Sequence, residues 1–165
     1  ALSLLGVNEA CAAYSYNQYG KPRITGQEHL DFSLAHSGKM AMCALSDSGQ
    51  VGCDIEAPGR RNPSAAKRFF HPNEYHKIIN SDDPGRDFIR LWTLKESYLK
   101  ALGTGLATPL SSFEIVPGNP PYLCGNDEYH FAEFHLENGY HAAVCSLEKA
   151  ACEPIFVDFS TLQNN

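Results

Sequence analysis

The sequence predicts an α+β chain: a largely stranded first part, then helices, then more strands. Three observations predict it. VGCDIE at 51–56 alternates as a strand does, with Val51, Cys53 and Ile55 on one face and Asp54 and Glu56 on the other. FIRLWTLKESYLKAL at 88–102 places Phe88, Leu91, Trp92, Tyr98, Leu99 and Leu102 at the three-and-four spacing of an amphipathic helix. APGRRNP at 57–63 is a Pro/Gly break between the two kinds of pattern. Segregated strands and helices of this sort are the α+β arrangement. The break divides the chain into 1–57 and 58–165.

The elements follow in order. Residues 1–19 are mixed, and GKP at 20–22 is a turn. FSLAH at 32–36 is short and apolar and ends at Ser37-Gly38. MAMCALS at 40–46 reads as a strand, SDSGQ at 46–50 as a hairpin turn, and VGCDIE as the strand paired through it. After the break, a helix is expected from Ser64 and another from Pro72 to about Ile79. SDDPGR at 81–86 reads as a loop, with Asp87 capping the long helix and Gly103 ending it. Strands are expected at 112–116, 129–136, 140–147 and 155–159, with a hairpin turn at Glu137-Asn138-Gly139.

At 165 residues with 43% hydrophobic and 19% charged residues, the chain is long enough to bury a core. No apolar run reaches the eighteen residues of a membrane span, and the first residues lack the basic start of a signal peptide. The six cysteines form no CxxC pair; Cys43 and Cys145 lie in apolar runs and are expected to be buried. That usage points to reduced thiols and a cytoplasmic chain. The net charge of −6 argues against a nucleic-acid binder. Its distribution is uneven: residues 57–100 hold nine of the thirteen Lys and Arg against five acids. A basic middle on an acidic chain is either a solvated helix surface or a site for an anion or an acidic partner.

Asp54 and Glu56 pose the chemical question. Two carboxylates on one strand face repel each other unless the face is solvated or a cation lies between them. Glu96 and Lys100 are four apart on the long helix and share a face. An exposed pair of that kind contributes a few tenths of a kcal/mol, about 0.3–0.5. If Glu96 met Asp54 and Glu56, three carboxylates would offer the hard oxygen ligands of Mg²⁺, and Lys100 would face the same phosphates. The chemistry implied is phosphoryl or pyrophosphate transfer.

The motifs in sequence sharpen this reading: GKP (20–22), FSLAHSG (32–38), VGCDIE (51–56), RFFHPNEY (68–75) and WTLKESYLKALGTGL (92–106). Together they resemble the Sfp-type 4'-phosphopantetheinyl transferases, from about residue 14 to the C-terminal strands. The resemblance implies two pseudo-symmetric α/β halves with coenzyme A between them, the first half incomplete here. It implies transfer of the phosphopantetheine arm of coenzyme A to a serine of an acyl, peptidyl or aryl carrier protein, leaving 3',5'-ADP. It assigns metal ligation to Asp54, Glu56 and Glu96, with Glu96 also the base. Lys100 is assigned to the pyrophosphate, and Lys21 and His36 to coenzyme A phosphates. Glu74 matches the glutamate of the family's FFxxxE segment. The expected ion is Mg²⁺, with Mn²⁺ equally suited to oxygen ligands, and the expected state is a monomer. Ala35 stands where the family usually has serine, which removes one hydroxyl from the site.

Two rival readings follow from the same residues. One is a coenzyme A or carrier-protein binding module without transfer; the other is a metal-dependent phosphohydrolase. Without the resemblance, His36 and Lys21 read as a turn histidine and a solvated lysine. Trp92, Phe88 and Leu91 read as core. Phe69 and Phe70 read as core or as part of a carrier-docking surface, and Arg60, Arg61, Lys67 and Arg68 as a basic loop or that same surface.

Overall fold

A computed structural model describes residues 6–59, 62–149 and 153–158. Nine strands and three α-helices are assigned among them. The strands are β1 (Tyr14–Tyr16), β2 (Pro22–Ile24), β3 (Asp31–Ser37), β4 (Met40–Ser46), β5 (Val51–Glu56), β6 (Ile115–Val116), β7 (Tyr122–Leu123), β8 (Asn126–His135) and β9 (His141–Ser146). The helices are α1 (Pro63–Phe69), α2 (Pro72–Ile79) and α3 (Pro84–Leu102). The predicted α+β class is the observed one.

The strands form two hairpins, β1–β2 and β3–β4, and a five-stranded sheet in the order β5-β9-β8-β7-β6. VGCDIE is a strand, but it does not pair with 40–46. β4 pairs with β3 around Ser37-Gly38, and β5 pairs antiparallel with β9, Val51 opposite Ser146 and Glu56 opposite His141. The apolar pattern placed β4 and β5 with the right bounds; what it could not supply is the partner of β5, which lies far along the chain in β9.

β5 is therefore an edge strand, and unpaired backbone on an edge needs a partner. β3 supplies it through side chains. Val51 N–H donates to Asp31 Oδ2 (2.8 Å), Cys53 N–H to Ser33 Oγ (3.0 Å) and Ala57 N–H to Ser37 Oγ (3.0 Å). Each donor lies twenty residues after its acceptor, so the two strands run side by side in constant register without a backbone ladder.

Both faces of β5 are buried. Val51, Cys53 and Ile55 pack with Ala35, Ala44, Ala142 and Val144. The other face meets α3, whose Leu91, Leu94, Tyr98 and Leu99 join Ile78, Ile115, Phe131 and Cys145 in the main core. Cys43 departs from expectation: it is exposed, opposite Leu34 on the outer face of the β3–β4 hairpin. Cys145 is buried as expected.

α3 begins earlier than expected. Asp83, not Asp87, is its cap, accepting from Arg86 N–H at 3.0 Å, and Pro84 occupies the first turn, where its missing N–H does no harm. Gly103 ends the helix in the left-handed conformation (φ 70°). Of the expected strand at 112–116 only Ile115–Val116 pairs as a strand, and Ser112 N–H closes a tight turn onto Pro109 O just before it. Residues 155–158 carry no strand, and Ile155, Phe156 and Val157 are exposed. No helix among the described residues is long and apolar enough to cross a membrane.

Candidate active site

Gly52 sets the approach of α3 to β5. Its α-carbon lies so close to the helix backbone that an added methyl would collide with Ser97 O and Ala101 N. A residue with a side chain at this position would hold the helix off. Period-two alternation then places Asp54 and Glu56 on the same face as Gly52. Period-3.6 geometry places Glu96 and Lys100 on the helix face above them.

The structure brings these four residues together. Lys100 Nζ donates to Asp54 Oδ1 at 2.8 Å. Burial pushes the Asp54 carboxyl up to about 6, against the pull of Lys100, and the charges of Glu96 and Glu56 add to the rise. Burial also raises Glu96, with Lys100 opposing and Glu56 adding. Three mutually repelling acids and one lysine thus share a poorly solvated space. Asp54 Oδ2 is buried with no hydrogen-bond partner among the described residues.

Among the described residues, no three His, Cys, Asp or Glu side chains are gathered closely enough to grip an ion. Lys100, instead, lies on Asp54. The donor chemistry nonetheless fits a hard divalent cation: carboxylate oxygens throughout, one of them buried and unpartnered.

The remaining predicted residues are placed elsewhere. Lys21 is half-buried, its Nζ donating to Asp31 Oδ2 (2.5 Å), Val51 O (3.1 Å) and Ala101 O (3.2 Å). From just before β2 it ties together β3, β5 and the end of α3, and burial lowers its pKa against the opposing effect of Asp31. His36 is exposed on β3, on the face opposite Ser33 and Ser37. Glu74 is fully buried. It accepts from Lys95 Nζ (2.7 Å), Ile115 N–H (2.7 Å) and His71 N–H (3.0 Å), so it caps α2 while tying it to α3 and β6. Arg60 and Arg61 lie outside the described residues; Lys67, Arg68 and Phe69 are exposed at the end of α1, and Phe70 is buried.

Sequence reasoning passed over three groups. Lys95, inside the KES motif, is the buried partner of Glu74 and lies 4.0 Å above the Phe113 ring. Burial pulls its pKa down to about 8, with Glu74 opposing. His141, opposite Glu56, is held between Thr93 Oγ1 (2.6 Å) and Glu133 Oε1 (3.0 Å). Arg90 grips the same Glu133 with two bonds, at 2.7 and 2.6 Å. Burial pushes Glu133 up, but the bonds from Arg90 and His141 outweigh it and bring it down to about 2. Ser37, finally, donates its hydroxyl proton to Glu56 Oε2 at 2.9 Å. All three are long-range contacts with no local signature.

Comparison with known proteins gives concordant results. A family model described as the 4'-phosphopantetheinyl transferase superfamily matches residues 50–145, which contain all four site residues. A 4'-phosphopantetheinyl transferase of Bacillus subtilis is 31% identical over 162 residues, covering 94% of this chain and 72% of that protein. 4'-Phosphopantetheinyl transferase Sfp of Bacillus subtilis strain 168 is 34% identical, covering 81% and 62%. HetI of Nostoc, also a 4'-phosphopantetheinyl transferase, is 39% identical, covering 85% and 62%. The chain thus spans between 62% and 72% of the length of these relatives. Among solved structures, holo-[acyl-carrier-protein] synthase of Thermotoga maritima superposes with a TM-score of 0.52 at 26% identity, covering 61% of this chain and 64% of that one.

Proposed function

The chain belongs to the 4'-phosphopantetheinyl transferase superfamily, and from that premise we propose that it moves the 4'-phosphopantetheine arm of coenzyme A to a serine of an apo carrier protein. The observation that carries the proposal is the meeting of Asp54 and Glu56 on β5 with Glu96 and Lys100 on α3.

The carrier serine Oγ attacks the β-phosphorus of coenzyme A. The bond from that phosphorus to the bridging oxygen breaks, and 3',5'-ADP leaves. Glu96 accepts the serine proton; its burial-raised pKa suits it to hold one. Lys100 offsets negative charge on the transferring group. Asp54, Glu56 and Glu96 are the residues that would hold Mg²⁺, which supplies charge neutralisation at the pyrophosphate. Mn²⁺ suits the same oxygens.

Lys67, Arg68 and Phe69 at the end of α1 offer a basic and aromatic surface suited to an acidic carrier protein. His36, exposed on β3, is available to a coenzyme A phosphate. Lys21 reaches one only by giving up its contact with Asp31.

The test is the intact mass of an apo carrier protein incubated with this chain, coenzyme A and Mg²⁺, with an EDTA control. A phosphopantetheine-sized gain that requires the metal supports the proposal. Binding of coenzyme A by calorimetry with no gain on any carrier favours a binding module instead.

A further inference from the structure

We propose that Ser37 is a positioning residue whose hydroxyl fixes the Glu56 carboxylate in the orientation that a bound divalent cation needs. The inference rests on the reading above that Asp54, Glu56 and Glu96 hold such an ion.

The hydrogen bonds define its action. Ala57 N–H can only donate, and it donates to Ser37 Oγ at 3.0 Å. That bond occupies a lone pair and leaves the hydroxyl its single proton. The proton goes to Glu56 Oε2, 2.9 Å away. Both side chains are buried, Ser37 5% and Glu56 9% exposed, so water competes poorly for either group. One hydroxyl therefore fixes the backbone of Ala57 and the carboxylate of the residue before it.

Ser37 is itself held rigidly. It pairs with Met40 across the tight turn of the β3–β4 hairpin. The next residue, Gly38 (φ 56°), lies against the Tyr140 hydroxyl, and any side chain there would collide with it. That hydroxyl accepts from Lys39 N–H at 3.1 Å, fastening the turn to the start of β9. The three residues of the HSG motif thus act in three directions: His36 outward, Ser37 onto Glu56, and Gly38 as space for Tyr140.

Ser33 provides the internal comparison. Its hydroxyl accepts Cys53 N–H at the same 3.0 Å and bridges the same two strands, but among the described residues it meets no carboxylate. A purely structural function would make Ser33 and Ser37 equivalent.

The experiment is Mn²⁺ binding by calorimetry on the full chain, alongside thermal unfolding. The variants are Ser37→Ala, Ser37→Cys, Ser37→Thr and Ser33→Ala. Partners that orient a metal ligand typically change affinity by about 10- to 100-fold. Ser37→Ala and Ser37→Cys are expected to raise the Mn²⁺ dissociation constant by about tenfold, and Ser37→Thr to restore it. Ser33→Ala is expected to lower the melting temperature while leaving Mn²⁺ affinity unchanged. If Ser37→Ala does not fold, the volume-conserving Ser37→Cys carries the test. Equal loss in the Ser33 and Ser37 variants, or no loss in either, overturns the inference alone. A wild-type chain that takes up no Mn²⁺ overturns the metal reading and the inference with it.

Discussion

Lys100 Nζ lies 2.8 Å from one oxygen of the Asp54 carboxylate, and the other oxygen of that carboxylate is buried without a hydrogen-bond partner among the described residues. A half-satisfied buried acid is costly to fold, because desolvation is only partly offset by the single ion pair. Costly arrangements of this kind cluster at functional sites.

Lys100→Met tests the cation. The substitution keeps the apolar stem and removes the charge. Transfer to a carrier protein is expected to fall by about a hundredfold or more, the scale of losing a charge-stabilising donor. The circular dichroism spectrum is expected to be unchanged. Wild-type transfer rates in Lys100→Met would remove this residue from the chemistry.

The raised pKa of Asp54 predicts a pH dependence of stability. An Asp at 3.8 in the unfolded chain and about 6 in the native one binds its proton more tightly when folded. Its contribution is most favourable below about pH 4, declines as pH rises to about 6, and then stays low. The full difference is about 3 kcal/mol. Asp54→Asn abolishes it. In EDTA, the variant is expected to be more stable than wild type above pH 6 and equal to it near pH 4, as denaturant titrations across pH would show. The same variant is expected to lose transfer. Wild type more stable than Asp54→Asn at pH 7.5 would contradict the sign.

Much of this site was legible before any coordinates. Alternation placed Asp54 and Glu56 on one face, and four-residue spacing placed Glu96 with Lys100. What alternation cannot supply is the partner of a strand: β5 reads as the second arm of a hairpin with β4, yet it pairs with β9. Lys95 and Glu74 are twenty-one residues apart on different helices. No periodicity joins them, so nothing in the sequence marks Lys95 as the centre of a buried pair. The resemblance singled out His36 from HSG, while the contact to the acid pair belongs to Ser37. Asp87 was expected to cap α3 because SDDPGR looks like a loop, but a proline just inside a helix is a start signal too.

The Glu74–Lys95 pair makes a stability prediction. Both side chains are fully buried. Lys95→Met leaves the Glu74 carboxylate without its cation, a loss of about 3–5 kcal/mol for a broken buried pair. A Glu74→Gln/Lys95→Met double variant is expected to recover a large part of it, since no unpaired charge remains. Urea unfolding of the two variants and wild type reads this directly. A double variant as unstable as the single one would show that geometry, not charge, is what the pair contributes.

Ala35 makes another. Asp31, Ser33 and Ser37 accept the N–H groups of Val51, Cys53 and Ala57, each twenty residues on, and alternation directs Ile55 N–H toward Ala35, whose side chain is a methyl and cannot accept. Ala35→Ser completes the series. The expected gain is about 1 kcal/mol, one ordinary hydrogen bond, with slower amide exchange at Ile55. Because this side chain faces β5, coenzyme A affinity is expected to be unchanged. Tighter coenzyme A binding in Ala35→Ser would place the hydroxyl at the ligand instead.

The backbone contact at Gly52 has a consequence for how such a chain can change over generations. The separation between the acids on β5 and the residues of α3 is fixed by main chain against main chain, with no side-chain volume between them. Apolar residues elsewhere in the interior can be exchanged for others of similar size without altering that separation. Lineages can therefore diverge through most of their interior while the spacing of the reacting groups is inherited unchanged, so long as one residue without a side chain persists.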